Sequence, residues 1–174
     1  MEYHTSEIRQ WAQSLRAGDS IYLSGTVYTA RDAAHAKIAD MLDRGLEAPF
    51  PLPDAVIYYA GPTPARPGEV CGSFGPTTAG RMDAWAGRLY REGVAATIGK
   101  GERSDAVRAA IRETGSLYLV ALGGAGALAA KHIISLQEIA FPELGCESVK
   151  KLTFDRFPLF VGTDCTGRSV YERK

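Results

Sequence analysis

The sequence is poor in cysteine and histidine and carries no charge imbalance. Its three cysteines, Cys71, Cys146 and Cys165, are odd in number and far apart, and none belongs to a Cys-x-x-Cys. That excludes a disulfide framework. The three histidines, His4, His35 and His132, lie near no cysteine in sequence, so a metal site made by this chain alone is not expected. Lys+Arg and Asp+Glu number 20 each, for a formal net charge of zero. This argues against a protein that binds nucleic acid or anionic membrane through bulk charge. Long apolar runs are also missing. The longest nearly uncharged stretch, 115–130, is short and glycine-rich, whereas a membrane span needs about 20 apolar residues. Met1-Glu2-Tyr3-His4 lacks the basic-then-apolar order of a signal peptide, and the expected location is cytoplasmic.

What remains is ordinary globular material. The chain has 174 residues, 45% hydrophobic and 23% charged, enough for one sizeable core. Without a linker long enough to divide it, 1–174 reads as a single domain. Ile8, Trp11, Ala12 and Leu15 follow helical spacing. Residues 20–25 read as a strand continuing loosely to Tyr28, and 31–44 as a helix ended by Gly45. A proline-rich connector at 47–53 precedes a short strand at 56–60. Residues 61–75 are too rich in glycine and proline for a helix. A helix over 77–92, a strand over 94–98, a helix over 104–114 capped by Ser or Asp, and a buried-type strand over 117–122 follow. A glycine loop then leads into a short helix ending near His132. Residues 149–155 and 159–164 read as a hairpin turning at Phe157-Pro158. The pattern predicts a mixed α/β (α+β) fold.

Four segments carry chemistry. In Gly75-Pro76-Thr77-Thr78-Ala79-Gly80-Arg81-Met82-Asp83, a fixed turn opens a helix with two threonines and an arginine. Free N–H groups and an arginine fork suit an anion; a threonine N-cap with a surface arginine is the plainer reading. In Thr29-Ala30-Arg31-Asp32-Ala33-Ala34-His35, Asp32 would cap a helix or meet its dipole. Arg31 at that end is electrostatically disfavoured unless an anion joins it. His35 reads as a half-buried structural histidine. Ile98-Gly99-Lys100-Gly101 ends a strand where α/β proteins bind ligands, or is a tight turn. Gly123-Gly124-Ala125-Gly126 partly fits a dinucleotide loop, but position 129 is alanine and the acidic partner would be Glu143 or Glu147, without a clear following strand. Arg31, Arg81, Lys100 and Thr77 together suit a small dicarboxylate.

Taken in order, these motifs resemble the class I (iron–sulfur) fumarate hydratase family, specifically the β subunit or C-terminal domain that it shares with L(+)-tartrate dehydratase. The segments are Gly18-Asp19-Ser20-Ile21-Tyr22-Leu23-Ser24-Gly25, Ala30-Arg31-Asp32-Ala33-Ala34-His35, Gly75-Pro76-Thr77-Thr78-x-x-Arg81-Met82-Asp83, Gly99-Lys100-Gly101, Gly123-Gly124-Ala125 and Phe141-Pro142-Glu143-Leu144-Gly145. The resemblance covers about 8–172. It implies a swivelling β/β/α domain and reversible hydration of fumarate to (S)-malate. It implies a [4Fe–4S] cluster held by a partner α subunit rather than by this chain, and a heterodimer or heterotetramer. It implies carboxylate binding by Arg31, Arg81 and Lys100 and proton transfer at Thr77, assisted by an acid from the α subunit. Cys146 departs from the pattern, where an apolar residue is expected. The motifs do not separate fumarate from tartrate as substrate, and a non-catalytic dicarboxylate-binding module is the reading from another class.

Overall fold

Successive residues of the central strands enter two different cores, and this sets the layering of the molecule. The computed structural model describes residues 1–172. The strands are β1 (Glu2–His4), β2 (Ser20–Thr29), β3 (Val56–Tyr58), β4 (Ala96–Gly99), β5 (Leu117–Val120), β6 (Ile133–Ala140) and β7 (Val149–Thr163). The α-helices are α1 (Ile8–Trp11), α2 (Asp32–Asp43), α3 (Asp83–Arg91), α4 (Asp105–Thr114) and α5 (Gly126–Ala130). β2, β3, β4 and β5 run parallel in that order. β7 pairs antiparallel with both β5 and β2 and so closes the five strands into a ring. β1 flanks β2, and β6 flanks β7.

Val56, Tyr58, Ala96, Ile98, Leu117 and Leu119 belong to one core, with Leu23 and Val27 of β2. Ile57, Tyr59 and Tyr118 belong to the other, with Ala34 and Ile38 of α2, Ala86 and Leu89 of α3, and Val107 and Ile111 of α4. The first core is the inside of the ring; the second lies between strands and helices. This is the mixed α/β architecture expected from the alternating pattern. The helix predicted over 8–15 buries its intended face, Ile8, Trp11, Ala12 and Leu15. Only one turn is α-helical; the tighter turns Thr5–Glu7 and Ala12–Ser14 flank it.

The hairpin predicted around Phe157-Pro158 is not formed. β7 is one strand of 15 residues. Its inward residues are Leu152 and Phe154, then Phe157, Leu159 and Val161, a step of three in a period of two. Pairing with β2 shifts at the same place, Leu23 facing Phe157 and Gly25 facing Phe154. One extra residue is therefore inserted, a β-bulge that keeps both halves facing the core. Arg156 takes a positive φ of 50° there, and its N–H donates to Ser24 Oγ at 2.9 Å. Pro158 fits because β6 leaves β7 at Phe154 and β5 joins at Phe160. Between them β7 has an open side, where a missing N–H does no harm. β6 and β1 escaped sequence reading. β6 is buried only at Ile133 and shows no clean alternation.

Phe154 and Phe157 stack across the bulge with ring centroids 4.2 Å apart. Phe157→Ala should destabilise the fold by about 3–5 kcal/mol, read as a lower urea midpoint at unchanged slope.

Candidate functional site

Parallel strands end on one side, and here four of them do so in line. Thr29, Tyr58, Ile98 and Leu119 are successive register partners. The residues just beyond them, Arg31, Gly61, Lys100 and Gly123, therefore rise from a single edge. The segment after Gly75 lies along this edge. Pro76 bridges Ala60 and Thr78 bridges Lys100. The Thr77 N–H donates to the Tyr59 carbonyl at 2.6 Å, Lys100 N–H to Thr77 O at 3.2 Å, and Ala79 N–H to Lys100 O at 2.8 Å. Thr77 is thus held through its main chain between β3 and β4. The close approach requires Gly99: a Cβ there would stand 3.0 Å from Ala79 Cβ and 3.1 Å from the Tyr59 ring. The Lys100 stem runs over Gly123, its Cδ 3.6 Å from where a Cβ would be.

The two arginines are held by the chain's own carboxylates. Arg31 is the residue before the first turn of α2. Its guanidinium lies 3.1 Å from Glu147 Oε1, while Glu147 Oε2 accepts from the Ala33 N–H at 3.2 Å. The electrostatic conflict of a cation at a helix start is resolved by this acid, delivered from the turn Pro142–Glu147. Asp32, expected to cap α2 or to meet its dipole, lies in the first turn of the helix rather than at its cap position, and pairs with Arg81 Nε at 2.9 Å. The threonines do not cap with their side chains either. A tight turn, Ala79–Met82, precedes α3, and Thr78 ahead of it makes no side-chain cap. Ser104 does cap α4, accepting from Val107 N–H.

Gly61 is needed where Arg31 passes. A Cβ would lie 2.5 Å from the Cys146 carbonyl and 3.6 Å from Arg31 Cδ. The buried Lys150 secures the same turn, its Nζ donating to the carbonyls of Cys146 at 3.2 Å and Ser148 at 3.0 Å and to Ser148 Oγ at 2.7 Å. Burial pushes the Lys150 pKa down. Sequence reading passed over Glu147 as an arginine partner, and over Lys150. Neither has a local signal, since each acts on residues more than a hundred positions away or on carbonyls.

Arg31, Arg81, Lys100 and Thr77 therefore share one edge of the fold. Arg81 and Lys100 are exposed, Arg31 and Thr77 half-buried. Three buried polar atoms next to the arginines, Arg31 Nε, Asp32 Oδ2 and His35 Nε2, have no hydrogen-bond partner among the described residues. Such atoms are rare in folded chains, and here they cluster. A cavity of about 480 Å³, lined by Thr63, Cys71, Ser73 and Lys131 among others, includes none of Arg31, Arg81, Lys100 and Thr77. Cys71 and Cys165 are buried and Cys146 is exposed. Among the described residues no three His, Cys, Asp or Glu side chains converge as metal ligands. The glycine loop 123–126 does not sit in a βαβ unit. α5 has five residues, and the strand after it, β6, pairs antiparallel with β7.

His35 is buried more completely than expected. Its Nδ1 lies 2.8 Å from the Arg31 carbonyl, and its ring packs on Tyr59 and Trp85. Burial lowers its pKa to about 4, so it is neutral at pH 7 and fixes the backbone of Arg31 as a neutral donor.

A family profile described as Fumarase C-terminus matches residues 1–174. Fumarate hydratase 2 of Leishmania major is 41% identical over 169 residues, 96% of this chain and 30% of that protein. The anaerobic class I fumarate hydratase of Escherichia coli (strain K12) is 38% identical over 170 residues, 97% of this chain and 30% of that protein. A provisionally named L(+)-tartrate dehydratase subunit beta of Methanocaldococcus jannaschii is 37% identical over 179 residues, 99% of this chain and 92% of that protein. The chain thus spans about 30% of the length of these fumarate hydratases and nearly the whole of the subunit.

The depressed pKa of His35 makes stability depend on pH. Between pH 6.5 and 4 the unfolded chain takes up a proton that the folded chain does not. Stability contributed by the neutral ring is full above pH 6.5 and falls toward pH 4, by about 3 kcal/mol. Urea titrations of wild type and His35→Gln across this window should converge at low pH; parallel curves would exclude the effect.

Proposed function

The chain belongs to the Fumarase C-terminus family, and from that premise we propose that it is the β subunit, or C-terminal domain, of a hydro-lyase. The reaction is the reversible hydration of fumarate to (S)-malate, and residues 1–174 act as one domain in it. The observation that carries this reading is the meeting of Arg31, Arg81, Lys100 and Thr77 on one strand edge, with unpartnered buried polar atoms beside the arginines. Three cations suit a C4 dicarboxylate, the planar forks and the point charge being shared between its two carboxylates. Their own carboxylate partners, Glu147 and Asp32, hold the guanidinium planes in place before substrate arrives. That preorganisation favours the negative charge that builds on the carboxylate when the proton on the neighbouring carbon leaves.

In this reading Thr77 moves that proton. A threonine hydroxyl is a weak base, so an acid–base group of the partner α subunit must work through it. The [4Fe–4S] cluster of the enzyme would be held by that α subunit and supply Lewis acidity; no ligand to it is assigned to this chain. The chain's location would be the cytoplasm. L(+)-tartrate dehydration is the second reading, favoured by one observation: the relative matched over almost its whole length carries that name.

Anaerobic co-expression of this chain with its α subunit, followed by reconstitution with iron and sulfide, tests both. Turnover by the pair and by neither chain alone is expected, and the preferred substrate, fumarate or tartrate, decides between the two. A stable chain that forms no complex and turns over neither substrate would leave a dicarboxylate-binding module. In the active pair Thr77→Val should lower kcat at least about a hundredfold. It should cost under about 1 kcal/mol of stability, since Thr77 is held through its main chain. Near wild-type kcat would remove Thr77 from the reaction.

A further inference from the structure

Beneath the candidate edge lies a charged side chain that the proposed reaction does not use. Arg103 is fully buried. Its guanidinium lies between the rings of Tyr59 and Tyr118, 5.3 and 5.0 Å from their centroids. Nε pairs with Asp83 Oδ1 at 2.8 Å. Nη1 donates to Thr97 Oγ1 at 3.1 Å and to the Tyr59 hydroxyl at 3.3 Å. The other Asp83 oxygen accepts from the Ser104 N–H at 2.7 Å, at the start of α4.

Three of the four partners of Arg103 lead to a candidate residue. Tyr59, packed on the guanidinium, offers the carbonyl that holds the Thr77 N–H. Asp83 opens α3, two residues after Arg81. Tyr118 donates its hydroxyl at 2.8 Å to the carbonyl of Gly101, the residue after Lys100, which takes a positive φ of 80°. Lys100 in turn holds Thr77 and Ala79 through its main chain. A planar five-donor cation is the one side chain that can ligate a carboxylate and two hydroxyls while stacked between two rings. Lysine offers a point charge without that fork.

Resting on the reading of Thr77, Arg81 and Lys100 as substrate-facing groups, we propose that Arg103, with Asp83 and Tyr118, is the positioning device of this edge. It sets the mutual placement of the three from below, without touching substrate. The contact is buried, so it acts on geometry rather than on substrate charge. Misplacing reacting groups by about 1 Å can cost a hundredfold in rate.

Two variants test this. Arg103→Lys keeps the buried charge and loses the fork. Tyr118→Phe removes one hydroxyl and leaves the ring on the guanidinium, so it folds even if the lysine variant does not. The first readout is amide hydrogen exchange in the full chain. Exchange at Thr77, Ala79 and Lys100 should quicken at least about tenfold while the β2–β7 ladder is unchanged, as expected of local opening. The second readout is kinetics in the assembled enzyme, where KM should rise and kcat fall together. A kcat/KM loss of about tenfold is expected for Tyr118→Phe and about a hundredfold for Arg103→Lys. Equal quickening at all amides, or lower thermal stability with KM and exchange at the edge unchanged, would show a general structural role and overturn the proposal. Arg81→Ala measured in the same assembly separates the two readings. If it leaves turnover intact, the functional reading fails; if it is crippling while Tyr118→Phe behaves as wild type, only the positioning role fails.

Discussion

A cation inside the fold is the constraint around which the candidate edge is arranged. Arg103 has lost all contact with water, and an isolated charge in such a place is prohibitively costly. The surroundings must therefore present a carboxylate, hydroxyls and ring faces in fixed positions. Asp83, Thr97, Tyr59 and Tyr118 do so from α3, β4, the end of β3 and β5. Tyr90 adds to the shell by sharing a 2.6 Å hydrogen bond with Thr97, and Arg103 Nη2 is left without a partner among the described residues. Removing one member of such a buried pair typically costs about 3–5 kcal/mol. The elements that carry Thr77, Arg81 and Lys100 are thus tied to one point.

The second organising feature is a pair of carboxylates that serve other residues' cations. Glu147 neutralises Arg31 and meets the first turn of α2, and Asp32, in that same first turn, holds Arg81. A cation placed at a helix start needs an anion, and the chain brings one from the far side of the sequence. The turn that delivers it is pinned by Lys150 and by the missing side chain of Gly61. Both devices leave the outer faces of Arg81 and Lys100 open. The relatives named fumarate hydratase are more than three times as long as this chain, which accords with an edge that a further polypeptide completes in the functional reading proposed.

Much of this was legible in the residues. Alternation located β2, short apolar runs located β3 to β5, and helical spacing located the principal helices, because a strand buried on both faces reads as a continuous apolar run while a half-buried element repeats with the period of its backbone. The glycines at 61 and 99 mark places where main chains touch. Two misreadings have a common origin. At the bulge of β7 the apolar period slips by one, and Phe157-Pro158 then imitates a turn. β6 lies against β7 with one buried residue, so it shows almost no period at all. Of the two local roles open to Asp32, cap or dipole partner, its place in the first turn of α2 leaves the second, and its pairing with Arg81 is a long-range contact with no local signal.

The sequence by itself determined the kind of chemistry available: three cations and a threonine at element ends, without a cluster of cysteines, in a fold of mixed α and β. Those properties are local, and residue type together with spacing decides them. Only the tertiary structure decided which residues meet. The pairing of Arg31 with Glu147, the seat of Arg103 between two tyrosines, and the alignment of four strand ends arise from contacts between segments far apart in the chain. Closing such contacts depends on the whole core being packed, and no repeating pattern in the chain records them.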